Sequence, residues 1–188
     1  MDIKIRFATK NDIPLLLKIY THYVLNTAIT FEIEPPTILE FENRMENIQK
    51  KYPYIVAIHD NHIVGYAYAK EFVNRKAYDW SVESTIYIDV NKKNIGIGGK
   101  LMDTLENILK AMGICNIYAC IAYSKENNPF LTNNSMDFHK YRGYKVIGEF
   151  NNCGYKFDSW YNMIYMEKII GEHIKSPPAI ININSVKL

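Results

Sequence analysis

The sequence predicts an α/β chain of the α+β kind: a mixed, mostly antiparallel twisted sheet flanked by helices. Three observations lead there. Short apolar segments alternate with polar residues at strand spacing, as in Ile3-Lys4-Ile5-Arg6-Phe7. Two such segments, Tyr54 to Ile58 and Ile63 to Ala69, are joined through Asp60-Asn61, the chemistry of a tight hairpin turn. Between strands run stripes of helical period: Ile13, Leu16, Leu17, Tyr20 and Val24 in one, and Leu101, Met102, Leu105, Ile108, Leu109 and Met112 in another.

In chain order, the first strand is followed by Thr9 as an N-cap, with Asp12 where the acid of a capping box sits. A second helix starts after Pro35-Pro36, with Thr37 as cap, Glu40 three residues on, and Phe41, Met45 and Ile48 as its apolar side. The hairpin comes next, then a long strand from Trp80 to Val90. A glycine-rich run leads into the helix that Gly113 ends. A strand from Asn116 to Ala122, a polar loop, a short helix around Met136 to Tyr141 and two strands near 144–150 and 160–167 complete the order. Residues 1–170 read as one domain. Beyond it, Ser176-Pro177-Pro178 reads as a linker, and the tail to residue 188 as β-prone or disordered.

At 188 residues the chain is long enough for a core of its own. A net charge of +2 is too small to indicate nucleic acid. Three cysteines without a C-x-x-C pair suggest neither a disulfide framework nor a structural zinc. The alternating N-terminus does not resemble a signal peptide, and no apolar run is long enough to span a membrane. A cytoplasmic protein is expected, with no membrane or nucleic-acid partner. His59 and His62 read as exposed turn residues, and no metal is expected.

The run Lys92-Lys93-Asn94-Ile95-Gly96-Ile97-Gly98-Gly99-Lys100 carries the chemistry. It joins a strand to a helix N-terminus, where small residues allow close approach and unpaired N–H groups favour an anion such as phosphate. It is not a Walker A loop, because Leu101 follows Gly99-Lys100 where Ser or Thr is needed. It is not the dinucleotide fingerprint either, whose third glycine position also holds Leu101. What is left is basic-x-x-Gly-x-Gly, from Lys93, Gly96 and Gly98. Taken alone, this is either a phosphate cradle or a glycine-rich turn that starts a core helix.

That motif resembles the acyl-CoA pyrophosphate loop of the GNAT acetyltransferases, and the predicted element order resembles their fold. Longer blocks narrow the resemblance: Ala28-Ile29-Thr30-Phe31-Glu32, Tyr52-Pro53, Val64-Gly65-Tyr66-Ala67-Tyr68-Ala69, and above all Arg75-Lys76-Ala77-Tyr78-Asp79-Trp80-Ser81-Val82-Glu83-Ser84-Thr85-Ile86-Tyr87-Ile88. They are similar to the phosphinothricin and methionine sulfoximine N-acetyltransferases, from about Ile3 to about Lys168. The resemblance implies acetyl transfer from acetyl-CoA to the α-amine of a small amino acid or analogue, in a homodimer. It also leaves two alternatives: another amine (a polyamine or a peptide N-terminus), or an acyl-CoA-binding regulator without turnover.

The resemblance also implies roles for particular residues. Glu83 stands where the family's general base stands; on spacing alone it is equally a carboxylate on a solvated strand face. Ile86, Tyr87 and Ile88 would offer backbone groups to the pantetheine arm, with an N–H near Ile88 as oxyanion donor. Lys93, Asn94, Ile95, Gly96, Ile97, Gly98 and Gly99 would wrap the pyrophosphate. Lys93 replaces the usual arginine, which keeps the charge and loses the bidentate fork. In Ser135-Met136-Asp137-Phe138-His139, His139 would serve as acid or coenzyme contact, where many GNAT enzymes carry tyrosine. Its plain alternative is a helix histidine satisfied by a neighbour. Asn134, or its neighbour Asn133, would be a further coenzyme contact. Phe31, Arg75 and Tyr78 match positions that shape the amino-acid pocket. Val73 replaces a second basic residue found in some members, and the segment Lys125 to Asn134 is longer than usual.

Overall fold

The computed structural model describes residues 2–92 and 96–186. They form seven strands and four helices: β1 (Ile3–Phe7), α1 (Ile13–Asn26), α2 (Ile38–Gln49), β2 (Tyr54–His59), β3 (His62–Glu71), β4 (Ser81–Ile88), α3 (Ile97–Met112), β5 (Asn116–Tyr123), α4 (Asn134–Tyr141), β6 (Lys145–Lys156) and β7 (Ser159–Ile169). The predicted α+β order holds throughout. The chain divides into two compact units, one of residues 1–19, 36–117 and 169–188, the other of residues 20–35 and 118–168.

In the first unit, β1, β2, β3 and β4 lie side by side, each pair antiparallel. Asp60 and Asn61 both take left-handed backbone angles, φ 49° and 61°, as a two-residue hairpin turn requires. Helix α3 packs on these strands through Leu101, Met102, Leu105, Leu109 and Met112, all fully buried. Helix α2 lies against β2 and β3, with Phe41 edge-on to Tyr66. Its start is the predicted capping box: Glu40 N donates to Thr37 Oγ1 at 3.2 Å, and Thr37 N donates to Glu40 Oε2 at 2.7 Å.

Asp12 does more than cap. Thr9 N donates to its Oδ2 at 2.7 Å, while Arg6 on β1 donates to both of its oxygens at 2.7 Å. The fork ties the first strand to the first helix. The Arg6 hydrogen bonds, aided by Thr9, hold the Asp12 carboxyl below the usual aspartate range despite its burial.

The tail, expected to be β-prone or disordered, forms no strand among its described residues. It runs along the first unit instead. Trp80 Nε1 donates to Pro178 O at 2.8 Å, Ile181 N donates to Met112 O at 2.8 Å, and Ile183 is buried. Pro177-Pro178 lack the N–H groups a ladder needs, so single contacts hold the segment.

In the second unit the strand order is β5, β7, β6. The β6–β7 hairpin is longer than the sequence suggests. Asn151-Asn152-Cys153-Gly154 falls beyond the expected strand but is a bulge inside β6: Phe150 faces Met163 and Gly154 faces Tyr161, with Asn152 at φ 48°. The turn itself is Phe157-Asp158, both left-handed.

The stabilisation from Asp12 should be present above about pH 4 and disappear below it. A lowered folded-state pKa contributes in full above the unfolded-state value of about 3.9 and progressively less as pH falls from there through the folded-state pKa. Urea unfolding of Asp12→Asn against the unaltered chain should show a gap of about 1–3 kcal/mol near neutral pH. That gap should close as pH falls through and below the folded-state pKa.

Candidate active site

The register of β3 against β4 sets Lys70 opposite Glu83. Their side chains form an ion pair, Nζ to Oε1 2.9 Å, in which Glu83 is 15% exposed. Because side chains alternate along a strand, Tyr68 and Lys70 share one face with Glu83 and Thr85. Burial pushes the Tyr68 phenol above its ordinary range, against a hydrogen bond with Thr85, so Tyr68 is neutral at physiological pH. On the same face Tyr54 stacks on Tyr68 at 4.8 Å and on Tyr66 at 5.7 Å, and Tyr66 lies 5.6 Å from Tyr87. These tyrosines form an aromatic wall on the face that carries the polar pair. In the sequence, only the alternation Tyr66-Ala67-Tyr68 signals that Tyr68 and Lys70 face the same way, and nothing there points to Glu83 as their partner.

Further along β4, Asp89 N donates to Val64 O at 2.9 Å. Donors alternate in direction along an antiparallel strand, so the Ile88 and Ile86 N–H groups point to the edge of β4 away from β3. Gly65 sits opposite Ile88, where a Cβ would lie 3.0 Å from Tyr87 O and 3.3 Å from Ile88 Cα. The absence of a side chain at residue 65 eases this close approach of the two backbones.

After β4, Asp89 Oδ1 accepts from Asn91 N at 2.9 Å and shapes a single 3₁₀ turn over Val90–Lys92. Lys93, Asn94 and Ile95 lie outside the described residues. The described chain resumes at Gly96, whose φ of 83° delivers it into α3. Gly98 and Gly99 occupy the first turn of α3, so no side chain at these two positions shields the N–H groups there. The N-terminal end of a sixteen-residue helix has the polarity that favours negative charge. Lys100 Nζ donates to the Ile3 carbonyl on β1.

Arg75 and Tyr78 are exposed in the connection between β3 and β4. Arg75 precedes a 3₁₀ turn, its N–H donates to Val73 O at 2.7 Å, and its carbonyl accepts from Tyr78 N at 2.9 Å. Tyr78 packs edge-on to Phe72 at 6.0 Å. Lys51 pairs with Asp79 at 2.9 Å and fixes the end of the turn.

In the second unit, His139 is buried in α4, 3% exposed. Its Nδ1 lies 2.7 Å from Ser135 O, and its ring meets Tyr144 edge-on at 5.0 Å. The ring is therefore fixed in orientation. The Asn133 side chain is taken up by the backbone of Ser124. Its Nδ2 donates to Ser124 O at 2.8 Å and its Oδ1 accepts from Ser124 N at 3.3 Å. Asn134, at the start of α4, is exposed. Phe31 is partly buried against a cluster of Ala28, Ala122, Leu131 and Tyr161. The long 125–134 segment packs by Phe130 on Phe157, with rings 4.3 Å apart, and by Asn128, whose Oδ1 accepts from Tyr161 Oη at 3.2 Å. Among the described residues no group of three or more His, Cys, Asp or Glu is placed to hold a metal, and no helix is long and apolar enough to cross a membrane.

Residues 5–165 match the model of the acetyltransferase (GNAT) domain. The chain is a GNAT acetyltransferase. It is 31% identical over 166 residues to phosphinothricin N-acetyltransferase of Streptomyces viridochromogenes, covering 88% of this chain and 87% of that one. It is 25% identical over 173 residues to the L-methionine sulfoximine/L-methionine sulfone acetyltransferase of Salmonella typhimurium, covering 90% and 95%. Its fold is similar, with a TM-score of 0.86 and 30% identity, to a GNAT superfamily phosphinothricin acetyltransferase from Sinorhizobium meliloti in complex with acetyl-CoA, over 95% and 94% of the two chains. The resemblance read from the sequence is confirmed at the level of family and fold.

The close approach at Gly65 gives a direct test of the β3–β4 geometry. Gly65→Ala should lower stability by about 1–3 kcal/mol as the strands adjust to the added methyl, read as a shift in the urea midpoint at unchanged slope.

Proposed function

We propose that this GNAT acetyltransferase moves the acetyl group of acetyl-CoA to the α-amine of a small amino acid or analogue of the phosphinothricin, methionine sulfoximine or methionine sulfone type. One observation carries the reading: a strand with a partly buried carboxylate, Glu83, is followed by a Gly96-led helix start with glycines at two positions of its first turn. The named activities of the relatives support the acceptor class, and the acetyl-CoA complex of a similar fold supports the donor.

In this reading the α-amine, a charged ammonium with a pKa of about 8, loses its proton to Glu83 through water. Lys70 and Tyr68 hold the carboxylate in place. The amine attacks the thioester carbonyl, whose developing negative charge meets the Ile88 N–H. The coenzyme thiolate departs; His139, whose Nδ1–H is taken by the Ser135 carbonyl, donates to it or to the arm only through Nε2 of the protonated ring. Ile86 engages the pantetheine amides, whereas the Tyr87 backbone groups face Tyr66 on β3 by the same alternation and are not offered to the arm; the run from Lys93 to Gly99 engages the pyrophosphate, and Asn134 adds a coenzyme contact. Arg75 reads the acceptor carboxylate, and Phe31 and Tyr78 contact its side chain. With Val73 in place of a second basic residue, acceptors bearing a single negative charge are favoured over phosphinothricin. The enzyme acts in the cytoplasm as a homodimer. The apolar residues Val146, Ile147 and Phe150, exposed on the edge strand β6, support the dimer.

A thiol-release assay should show turnover with amino acids, sulfoximines or sulfones and none with polyamines or peptides. Glu83→Gln should lower kcat by about a hundredfold or more, the worth of a lost acid–base group, while calorimetry still shows acetyl-CoA binding. Unchanged kcat in that variant would remove Glu83 from the mechanism.

A further inference from the structure

Phe31 belongs to no helix or strand, so its position has to come from elsewhere. Two alternate residues of β6 supply it. At Gly154 an added Cβ would fall 2.4, 2.6 and 2.7 Å from Cε2, Cδ2 and Cζ of Phe31. The ring therefore rests directly on the glycine backbone. Gly154 is paired with Tyr161 on β7, and the Tyr161 ring lies 6.2 Å from that of Phe31. Glycine and tyrosine across the hairpin form a seat and a side wall for one aromatic ring.

Two residues on, and so on the same strand face, Lys156 is 4% exposed. Its Nζ donates to Thr27 O at 2.9 Å and to Thr30 O at 2.8 Å. Those carbonyls bracket the bend that ends at Phe31. Tyr20 Oη and Thr30 Oγ1 are hydrogen-bonded at 3.0 Å, and Ala28 N donates to Phe130 O at 2.8 Å. Burial pulls the Lys156 ammonium below the ordinary lysine range, with Glu32 acting the other way. A lysine in so unfavourable a place is kept by what it binds.

We propose that Gly154 and Lys156 are positioning residues that set acceptor specificity: one seats the Phe31 ring and the other ties down the 27–30 backbone that carries it. This rests on the reading of Phe31 as an acceptor contact. The occupant of the space above Gly154 is then a choice between the chain's own ring and a side chain at position 154, and acceptor size is selected by that choice.

The test uses the full-length enzyme with Gly154→Ala, Phe31→Leu, the double variant and Lys156→Met. KM is measured for the best amino-acid acceptor and for acetyl-CoA, with thermal unfolding of each. Gly154→Ala should raise the acceptor KM about tenfold, the scale of a changed apolar contact, and leave the acetyl-CoA KM within about twofold. Lys156→Met should do the same. In the Phe31→Leu background Gly154→Ala should have little further effect, because the ring it displaces is gone. The unfolding temperatures should show the same non-additivity, a readout that needs no activity. Equal changes in both KM values, additive effects in the double variant, or an unchanged acceptor KM would overturn the proposal. Failure of the underlying reading looks different: the unaltered enzyme would turn over no amino acid, while the coupling in unfolding temperature persisted.

Discussion

The antiparallel register of β3 on β4 is the constraint on which the candidate site depends. A slip of one residue would turn every side chain of β4 to the opposite face. Glu83 would then leave Lys70 and Tyr68, and the Ile88 N–H would turn back toward β3. Two features hold that register. Gly65 fits tightly against Ile88, where an added Cβ would lie 3.0 Å from Tyr87 O, and the Tyr54, Tyr66, Tyr68 and Tyr87 rings interlock across three strands. Glu83 is thus held on a paired strand rather than in a loop, which suits the role proposed for it.

The molecule repeatedly uses a charged side chain to hold an irregular segment. Arg6 and Asp12 fasten the entry to α1, Lys51 and Asp79 close the turn after Tyr78, and Lys156 holds the 27–30 bend. Loops cannot rely on a ladder for their backbone groups, so buried or half-buried donors satisfy them. The same logic accounts for the tail, which is held by the Trp80 indole N–H and by a few backbone bonds.

In the proposed reaction, anion binding at the start of α3 and proton removal at Glu83 are separate demands, met by consecutive elements. A left-handed glycine ends the connection and starts the helix, so the strand end and the helix start follow one another within a short stretch of chain. This arrangement suits a donor whose phosphates and reactive thioester are joined by a long flexible arm: the phosphates are held at the helix, and the arm extends along a strand edge.

The sequence by itself determined the elements and the family. Alternation, helical stripes, the Thr37–Glu40 box and the Asp60-Asn61 turn are local signals, and local backbone preferences decided them. The block from Ala77 to Ile88 and the run to Gly99 identified the lineage because their chemistry lies within one stretch of chain. Tertiary structure alone decided who meets whom. It gave Glu83 its Lys70 partner, sent Lys100 to Ile3, committed Asn133 to Ser124 and left Asn134 exposed. It made the stretch from Asn151 to Gly154, which the local pattern leaves out of any strand, into a bulge that seats Phe31, 123 residues away from Gly154 in the chain. Such pairings depend on sheet register and on space left by missing side chains, and neither is carried by any short stretch of sequence.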